Sequence, residues 1–167
     1  METTFRPMRR RRQQLTRGES ETILRWATSG TLAVQGDGGY PYAVPISFVY
    51  ANGRLYFHSA LSGHKVDAVR QCDKASFCVI AQDNVVPARY TTEFRSVIAF
   101  GRMRIVEDEA EKMFAARLLG EKYNPGQEEA LQNEIHKDFH HMLVMRMDIK
   151  HLTGKEAIEL TRRHAAE

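Results

Sequence analysis

A long alternating segment that carries two prolines constrains the fold of this chain more than any other feature. From Tyr40 to Tyr50, aromatic and β-branched residues recur at nearly every second position, as in a strand with one face on a core. Pro41 and Pro45 both lie at odd positions, so both remove a backbone donor from the same edge. We therefore expect an edge strand that is not fully paired and that has something other than a neighbouring strand beside it.

Turn and helix signals divide the rest of the chain into short elements. Thr16 and Glu19 form a T-x-x-E capping box that begins a first helix, and Gly30 is a natural stop for it. Turns are predicted at 36–39 and 52–53, strands over 31–35, 54–59, 75–81, 94–106 (with a bulge or bend at Gly101) and 141–149, and helices over 63–72, 108–120, 127–137 and at the C-terminus. Strands joined by hairpins, with helices between and after them, predict an α+β domain with a mainly antiparallel sheet, closed as a barrel.

The positive charge of the chain is concentrated at its N-terminus. The sequence has 24 Lys and Arg against 21 Asp and Glu, a net charge of +3. Residues 1–17 hold six arginines and one acid, a balance of +5, so the remaining 150 residues sum to −2. A near-neutral body argues against nucleic acid as a partner. We expect a flexible, solvated basic arm over residues 1–15 and one domain over 16–167. Contact of the arm with nucleic acid, membrane phosphates or another subunit is the alternative.

Several other classes of protein are excluded by what the sequence contains. No apolar run approaches the roughly 18 residues of a membrane span, and the N-terminus lacks the apolar stretch of a secretory signal. We therefore expect a cytoplasmic protein with no membrane partner. Cys72 and Cys78 form no CxxC motif and are expected to be free, buried thiols. His136 and His140 have an isolated HxxxH spacing without a third ligand nearby, so no metal site is predicted.

The segment from Phe57 to Lys65 runs from the end of a strand, through a loop of small residues, into the start of a helix. Free amides at a helix N-terminus favour an anion, and Ser59 and Ser62 add hydroxyl donors. Lys65 is unfavourable against the positive end of the helix dipole unless an anion offsets it. The segment is therefore a candidate phosphate site, with ordinary serine caps as the alternative. His58 is either a hydrogen-bonded structural histidine or a proton-transfer group at the mouth of a pocket.

Five short motifs follow one another along the chain. They are Tyr42-Ala43-Val44-Pro45-Ile46-Ser47, Phe57-His58-Ser59, Ser62-Gly63-His64-Lys65, Phe94-Arg95-Ser96-Val97 with Gly101, and Thr153-Gly154-Lys155-Glu156. In this order they resemble the pyridoxamine 5′-phosphate oxidase-like flavoproteins, and most of all the nitroimidazole-resistance subgroup, from about residue 6 to residue 162. The resemblance implies a split β-barrel that forms a homodimer and binds FMN in two clefts at the subunit interface.

The resemblance also implies a role for each motif. The edge of the strand from Tyr42 to Ser47 lies along the flavin ring, which accounts for the two prolines. Phe57, His58, Ser59 and Ser62 line the ribityl and phosphate side, His64 and Lys65 contact the phosphate, Ser96 reaches the cofactor from the long strand or from the other subunit, and Lys155 approaches the ring. Arg95 is a further single cation suited to one small phosphorylated cofactor.

The resulting prediction is an FMN-dependent oxidoreductase that reduces small electron-poor molecules such as nitro compounds, with His58 as proton donor or substrate-orienting group. The sequence contains no dinucleotide-binding fingerprint, so any NAD(P)H binds transiently over the flavin. The oxidase proper has an Arg-Lys pair at Gly63-His64 and an Arg-rich C-terminal motif, both missing here, which argues against pyridoxamine phosphate as substrate. The alternative is a flavin- or heme-binding protein without turnover. Deazaflavin is a further cofactor used on this fold.

Overall fold

The computed structural model describes residues 5–164, which form an eight-stranded antiparallel sheet with helices packed against it. The strands are β1 (Gln14–Leu15), β2 (Ser29–Gln35), β3 (Pro41–Ser47), β4 (Val49–Ala51), β5 (Arg54–Ala60), β6 (Lys74–Val86), β7 (Thr91–Ile105) and β8 (Met142–Glu156). The α-helices are α1 (Arg17–Trp26), α2 (His64–Gln71), α3 (Glu109–Tyr123), α4 (Glu128–Asp138) and α5 (Ile158–His164). The predicted α+β class with a mainly antiparallel sheet is confirmed.

The sheet has two ends, and the proline-bearing strand is one of them. The strand order is β3-β2-β6-β7-β8-β5-β4, with β1 paired to β8. Within residues 5–164, β3 pairs with β2 alone, where Pro41 lies opposite Gln35 and Pro45 opposite Thr31. Because neither proline has a donor to give, the odd positions of β3 face away from β2. The predicted edge strand is therefore confirmed, and the sheet stays open instead of closing on itself.

The first helix begins as predicted but ends earlier. The Glu19 amide donates to Thr16 Oγ1 at 3.2 Å, and the Thr16 amide donates to the Glu19 carboxylate at 2.7 Å, which completes the capping box. The helix ends at Trp26, so the predicted stop at Gly30 is wrong. Gly30 lies in β2, where a Cβ atom would come within 2.7 Å of the Cys78 carbonyl oxygen. A glycine is needed there for close packing of the sheet and not for a helix C-cap.

The last strand is much longer than the sequence predicted. β8 continues beyond residue 149 through Thr153-Gly154-Lys155-Glu156, because this segment pairs with β7 on one side and with β1 on the other. Gly154 is pressed against the N-terminal segment: a Cβ atom there would lie 2.9 Å from the Leu15 Cβ atom and would also meet the Ser20 side chain. The predicted irregularity at Gly101 is confirmed as a register shift between β7 and β8.

Two separate clusters of buried side chains cover the two faces of β5. The larger one joins the sheet to α1 and α2 and includes Phe57. The other packs α3 against β4, β5 and β8 and includes Tyr56. Because consecutive strand residues point to opposite faces, both residues are buried although they face in opposite directions.

Residues 1–4 of the predicted arm lie outside the described residues, while Gln14 and Leu15 at its other end form β1 on the sheet. Cys72 and Cys78 are free thiols, each half-buried instead of fully buried, and burial raises the pKa of Cys78. No cluster of three or more metal-ligating side chains occurs within residues 5–164. None of the helices in that range is both long and apolar enough to cross a bilayer.

Candidate functional site

The free edge of β3 meets the start of α2 at a pair of stacked rings. The rings of Tyr42 and His64 are 4.0 Å apart at their centroids and inclined by 18°. His64 Nε2 also lies 3.7 Å from a carboxylate oxygen of Asp37, in the turn between β2 and β3. Gly36 makes room for this arrangement, because a Cβ atom there would come within 2.9 Å of the Tyr42 Cβ atom. The structure therefore joins two separate motifs and adds Asp37, which the sequence marked only as part of a turn.

The N-terminus of α2 has the features of an anion site. Gly63 precedes the helix with φ at 131° and has no side chain with which to cap it. Its carbonyl oxygen accepts from the amides of Val66 and Asp67, at 2.9 and 3.1 Å. The amides of His64 and Lys65 lie in the first turn, before any helical acceptor is available to them. They therefore face solvent or a ligand beside the half-buried Lys65 side chain.

The end of β5 divides its predicted site residues between two faces. Phe57 and Ser59 are buried on the side of the larger core cluster, which also contacts α2. The Ser59 hydroxyl has no hydrogen-bond partner among the described residues, which costs about 1–3 kcal/mol if nothing binds there. His58 is exposed on the opposite face, so one chain does not bring it to the Tyr42–His64 pair. Ser62 is exposed in the loop that leads into α2.

The remaining predicted residues lie on β7 and β8. Ser96 is paired with Lys155 and shares its face, and the Lys155 ammonium lies 5.2 Å from the centre of the Phe94 ring. Arg95 points to the other face and donates to Glu156 at 2.7 Å. Because Glu156 is buried, Arg95 is engaged by a carboxylate within the fold. Two strands lie between β3 and β7, so about 14 Å of sheet separates this group from the edge of β3 within one chain.

The far end of β3 is held by α3, a feature that the sequence analysis missed. The Lys122 ammonium donates to the carbonyls of Ala27 and Phe48, at 2.5 and 2.9 Å. The Tyr123 hydroxyl accepts from the Phe48 amide at 2.9 Å. Burial lowers the pKa of Lys122 to about 8. These contacts join residues that are 74 to 95 positions apart in the chain, so no local sequence pattern predicts them.

The fold and this edge site define a class: an open split barrel with an uncapped helix start beside an unpaired strand edge. The family model for pyridoxamine 5′-phosphate oxidase matches residues 16–156. Since the match covers most of the chain, the protein belongs to the pyridoxamine 5′-phosphate oxidase family. The family that the motifs suggested is thus confirmed, and so is its split-barrel fold.

Solved structures with the same fold extend this comparison. A candidate 5-nitroimidazole antibiotic resistance protein from Bacteroides thetaiotaomicron is 22% identical, with a TM-score of 0.70 over 86% of each chain. The flavocytochrome Anf3 from Azotobacter vinelandii is 21% identical, with a TM-score of 0.78 over 90% of this chain and 72% of that one. An FAD and heme binding protein from Mycobacterium smegmatis is 22% identical, with a TM-score of 0.75 over 87% and 73%. At such identities the likeness shows the fold alone. No match was found among curated proteins.

Proposed function

We propose that this protein is an FMN-dependent oxidoreductase that reduces small electron-poor molecules, nitro compounds among them. One observation carries the proposal: the unpaired edge of β3, the Tyr42–His64 stack and the uncapped start of α2 converge. A flat heterocycle can hydrogen-bond along a strand edge, and a phosphate group can lie at a helix N-terminus. These are the two ends of a flavin mononucleotide.

The residues at the edge fit such a cofactor. The odd positions of β3 direct backbone groups away from β2, so the Ala43 amide is available to a ring that lies along the strand. His64 and Lys65 would hold the phosphate together with their own backbone amides. The Ser59 hydroxyl, which has no hydrogen-bond partner among the described residues, lies on the side of β5 that packs toward α2. When bound, the flavin would supply the hydride and electron chemistry, while these residues bind and orient it. One phosphate site favours FMN over the larger FAD.

A homodimer is part of the proposal because one chain separates the two groups of site residues. The outer face of β6 and β7 exposes Ile80, Ile98 and Phe100, with 69%, 38% and 39% of their surface accessible. Ile80 is paired with Ser96, and Ser96 with Lys155, so the apolar patch borders the second group. A second copy packed on this patch would cover it and would bring its Ser96 and Lys155 toward the edge of β3.

The proposed class of substrate depends on whether Arg95 is free to bind a phosphate group. Arg95 is bound to the buried Glu156, so it is not available for a phosphate group of a substrate. This supports small molecules without phosphate and argues against pyridoxamine phosphate. The likeness to a candidate nitroimidazole resistance protein agrees with a nitro compound. We keep His58 as the proton donor in this proposal, reached from the partner subunit, because its ring is exposed.

A second function has support of its own. Two of the similar structures are a flavocytochrome and an FAD and heme binding protein, so the fold also serves proteins that hold heme. The alternative is therefore a flavin- or heme-binding protein without turnover. The absorption spectrum of the purified protein separates the two cofactors. Anaerobic reoxidation of the reduced protein by a nitroimidazole separates catalysis from storage.

The decisive variant is H64A/K65A, which removes both phosphate contacts. We expect FMN affinity to fall at least about 100-fold, because each contact to a charged group contributes about 1.5–3 kcal/mol. The matched control is H136A/K137A, which removes an adjacent histidine and lysine from the exposed face of α4. It should bind FMN like the wild type in a fluorescence titration. Unchanged FMN affinity in H64A/K65A would overturn the phosphate assignment.

A further inference from the structure

The basic N-terminal segment forms one wall of a pocket. A groove of about 480 Å³, open to solvent, is lined by Arg9, Arg10, Arg11, Arg12, Gln13 and Ile158. Its volume lies within the range of about 300–1,000 Å³ that is usual for ligand sites. Among the described residues that line it there is no carboxylate, so four arginines border the space without an acidic neighbour in the wall. Such a pocket is suited to an anion with several charges.

The pocket is built on the sheet and is not part of a free arm. Arg11–Gln13 forms a 3₁₀ turn, and the next two residues pair with β8 as β1. Gln13 and Leu15 are buried, with 4% and 6% of their surface exposed. The opposite wall, Ile158, is the first residue of α5 and follows β8 closely. The arginines are therefore carried on a backbone that the sheet holds in place, which is what a specific site requires.

The pocket lies close to the proposed flavin site. Gln14 is the register partner of Lys155, which the family motifs place at the flavin ring. Arg12 is two residues before Gln14, so its Cα atom is no more than about 13 Å from that of Lys155. A ligand that reacts at the flavin ring could thus extend one end into this pocket.

The charges and the lining point to one kind of ligand. A dinucleotide pyrophosphate carries about two negative charges, and a 2′-phosphate adds about −1.5 to −2. Four arginines balance that total. Their planar forks bind phosphate oxygens in pairs and also stack on flat rings, and Ile158 adds an apolar contact for a base.

We propose that the arginine pocket binds the phosphorylated adenosine half of NADPH, the electron donor. Its role as donor rests on the proposed function above. In that reaction NADPH would transfer one hydride, with its two electrons, to a bound oxidised flavin and leave as NADP⁺. The 2′-phosphate makes NADPH the preferred donor over NADH, because an arginine is the usual partner of that group.

The test uses 2′-phospho-ADP-ribose, which lacks the nicotinamide, titrated into the full chain by calorimetry. We expect it to bind at least about tenfold more tightly than ADP-ribose, the difference that one charge-assisted contact gives. The variant R9Q/R10Q/R11Q/R12Q should lose at least about 30-fold in affinity. The variant with lysine at the same four positions keeps the charge but loses the forks, and it should also bind weakly. R25Q/R117Q, which removes two exposed arginines from α1 and α3, should bind normally.

The outcomes separate this inference from the proposed function. The proposed NADPH site is overturned if the wild type and the glutamine variant bind 2′-phospho-ADP-ribose equally, or if the lysine variant binds it with full affinity. If FMN does not bind but the fragment does, the flavin proposal fails and the pocket stands. If FMN binds, the glutamine variant should raise KM for NADPH with kcat and FMN content unchanged. The proposal is also overturned if neither the wild type nor any variant binds the fragment while the glutamine variant loses binding to polyuridylate or to phosphatidylglycerol vesicles. That result would identify the arginines as a polyanion site.

Discussion

The start of α2 and the end of β8 both carry cations that the sequence motifs mark, but the fold uses them in different ways. At α2, His64 and Lys65 lie beside free amides, and the nearest acidic partner, the exposed Asp37, is 3.7 Å from His64. At the end of β8, Glu156 is buried and accepts from Arg95 of the neighbouring strand β7 at 2.7 Å. A cation paired with a buried carboxylate is engaged within the fold, because either partner alone would be an uncompensated buried charge, whereas a cation at an uncapped helix start remains available to a ligand.

The docking of α5 adds further ion pairs to the β8 region. Glu93 is buried and accepts from Arg89 at 2.5 Å and also from Arg163 of α5. Burial would raise the pKa of Glu93, but the hydrogen bonds from the two arginines outweigh it and hold the pKa below its usual value. His164, also in α5, lies 3.5 Å from Glu156. Substitutions in the β8 region should therefore affect stability first, and those at α2 should affect ligand binding first.

The largest expected effect on stability is that of G154A. The new methyl group would overlap Leu15 and Ser20, so β1 and α1 would have to shift on β8. We expect a loss of about 2–3 kcal/mol in the free energy of unfolding, measured by urea denaturation. The control is G18A in α1, where nothing lies within 4 Å, and it should stabilise the protein by about 0.5–1 kcal/mol. A neutral G154A would mean that the N-terminal segment is not packed tightly on β8.

A smaller effect is expected for E156Q, which tests whether Arg95 serves the fold. Removing the buried charge should cost about 2 kcal/mol, since one partner of a largely buried pair is left uncompensated. FMN affinity should stay within about threefold of the wild type. E128Q removes an exposed carboxylate 3.6 Å from Arg117 and should cost less than about 0.5 kcal/mol. A tenfold change in FMN affinity in E156Q would instead assign Arg95 to the cofactor.

The smallest effect concerns pH and the clamp at the far end of β3. The pKa of Lys122 is about 8 in the folded chain, below the value of ~10.4 expected when unfolded. Between pH 8 and pH 10 the folded state has released the proton that the unfolded state still binds, so stability rises with pH. We expect a rise of about 1 kcal/mol, reduced from the full linkage value because Lys122 is only half-buried.

The variant K122M should remove this rise when urea denaturation is repeated at pH 8 and pH 10. K137M, which changes an exposed lysine of α4, should keep it. A wild type whose stability falls between these pH values would show that the hydrogen bonds to Ala27 and Phe48 raise the pKa more than burial lowers it. Lys122 would then hold β3 as a charged donor throughout.

Much of the edge site could be predicted from local patterns. Two prolines four residues apart define one edge of a strand because each lacks a donor, whatever lies elsewhere in the chain. The capping box from Thr16 to Glu19 is complete within one helical turn, and Asn52-Gly53 makes its hairpin with positive φ at both residues. Gly63 likewise predicts the uncapped start of α2, because a glycine has no side chain with which to cap the helix.

The tertiary structure decided which of these residues meet and which are already engaged. The alternation of apolar and polar residues fails on β5 because both of its faces are covered, so only the packed clusters show which core Phe57 and Tyr56 each face. The length of β8 and the need for glycine at 154 depend on β1 and α1, more than 130 residues away. The sequence by itself determined the edge strand, the turns and the helix starts, since these rest on sterics within a few residues. Long-range pairing decided that Arg95 is bound to Glu156 and that the segment after the N-terminal arginines pairs with β8 at Lys155.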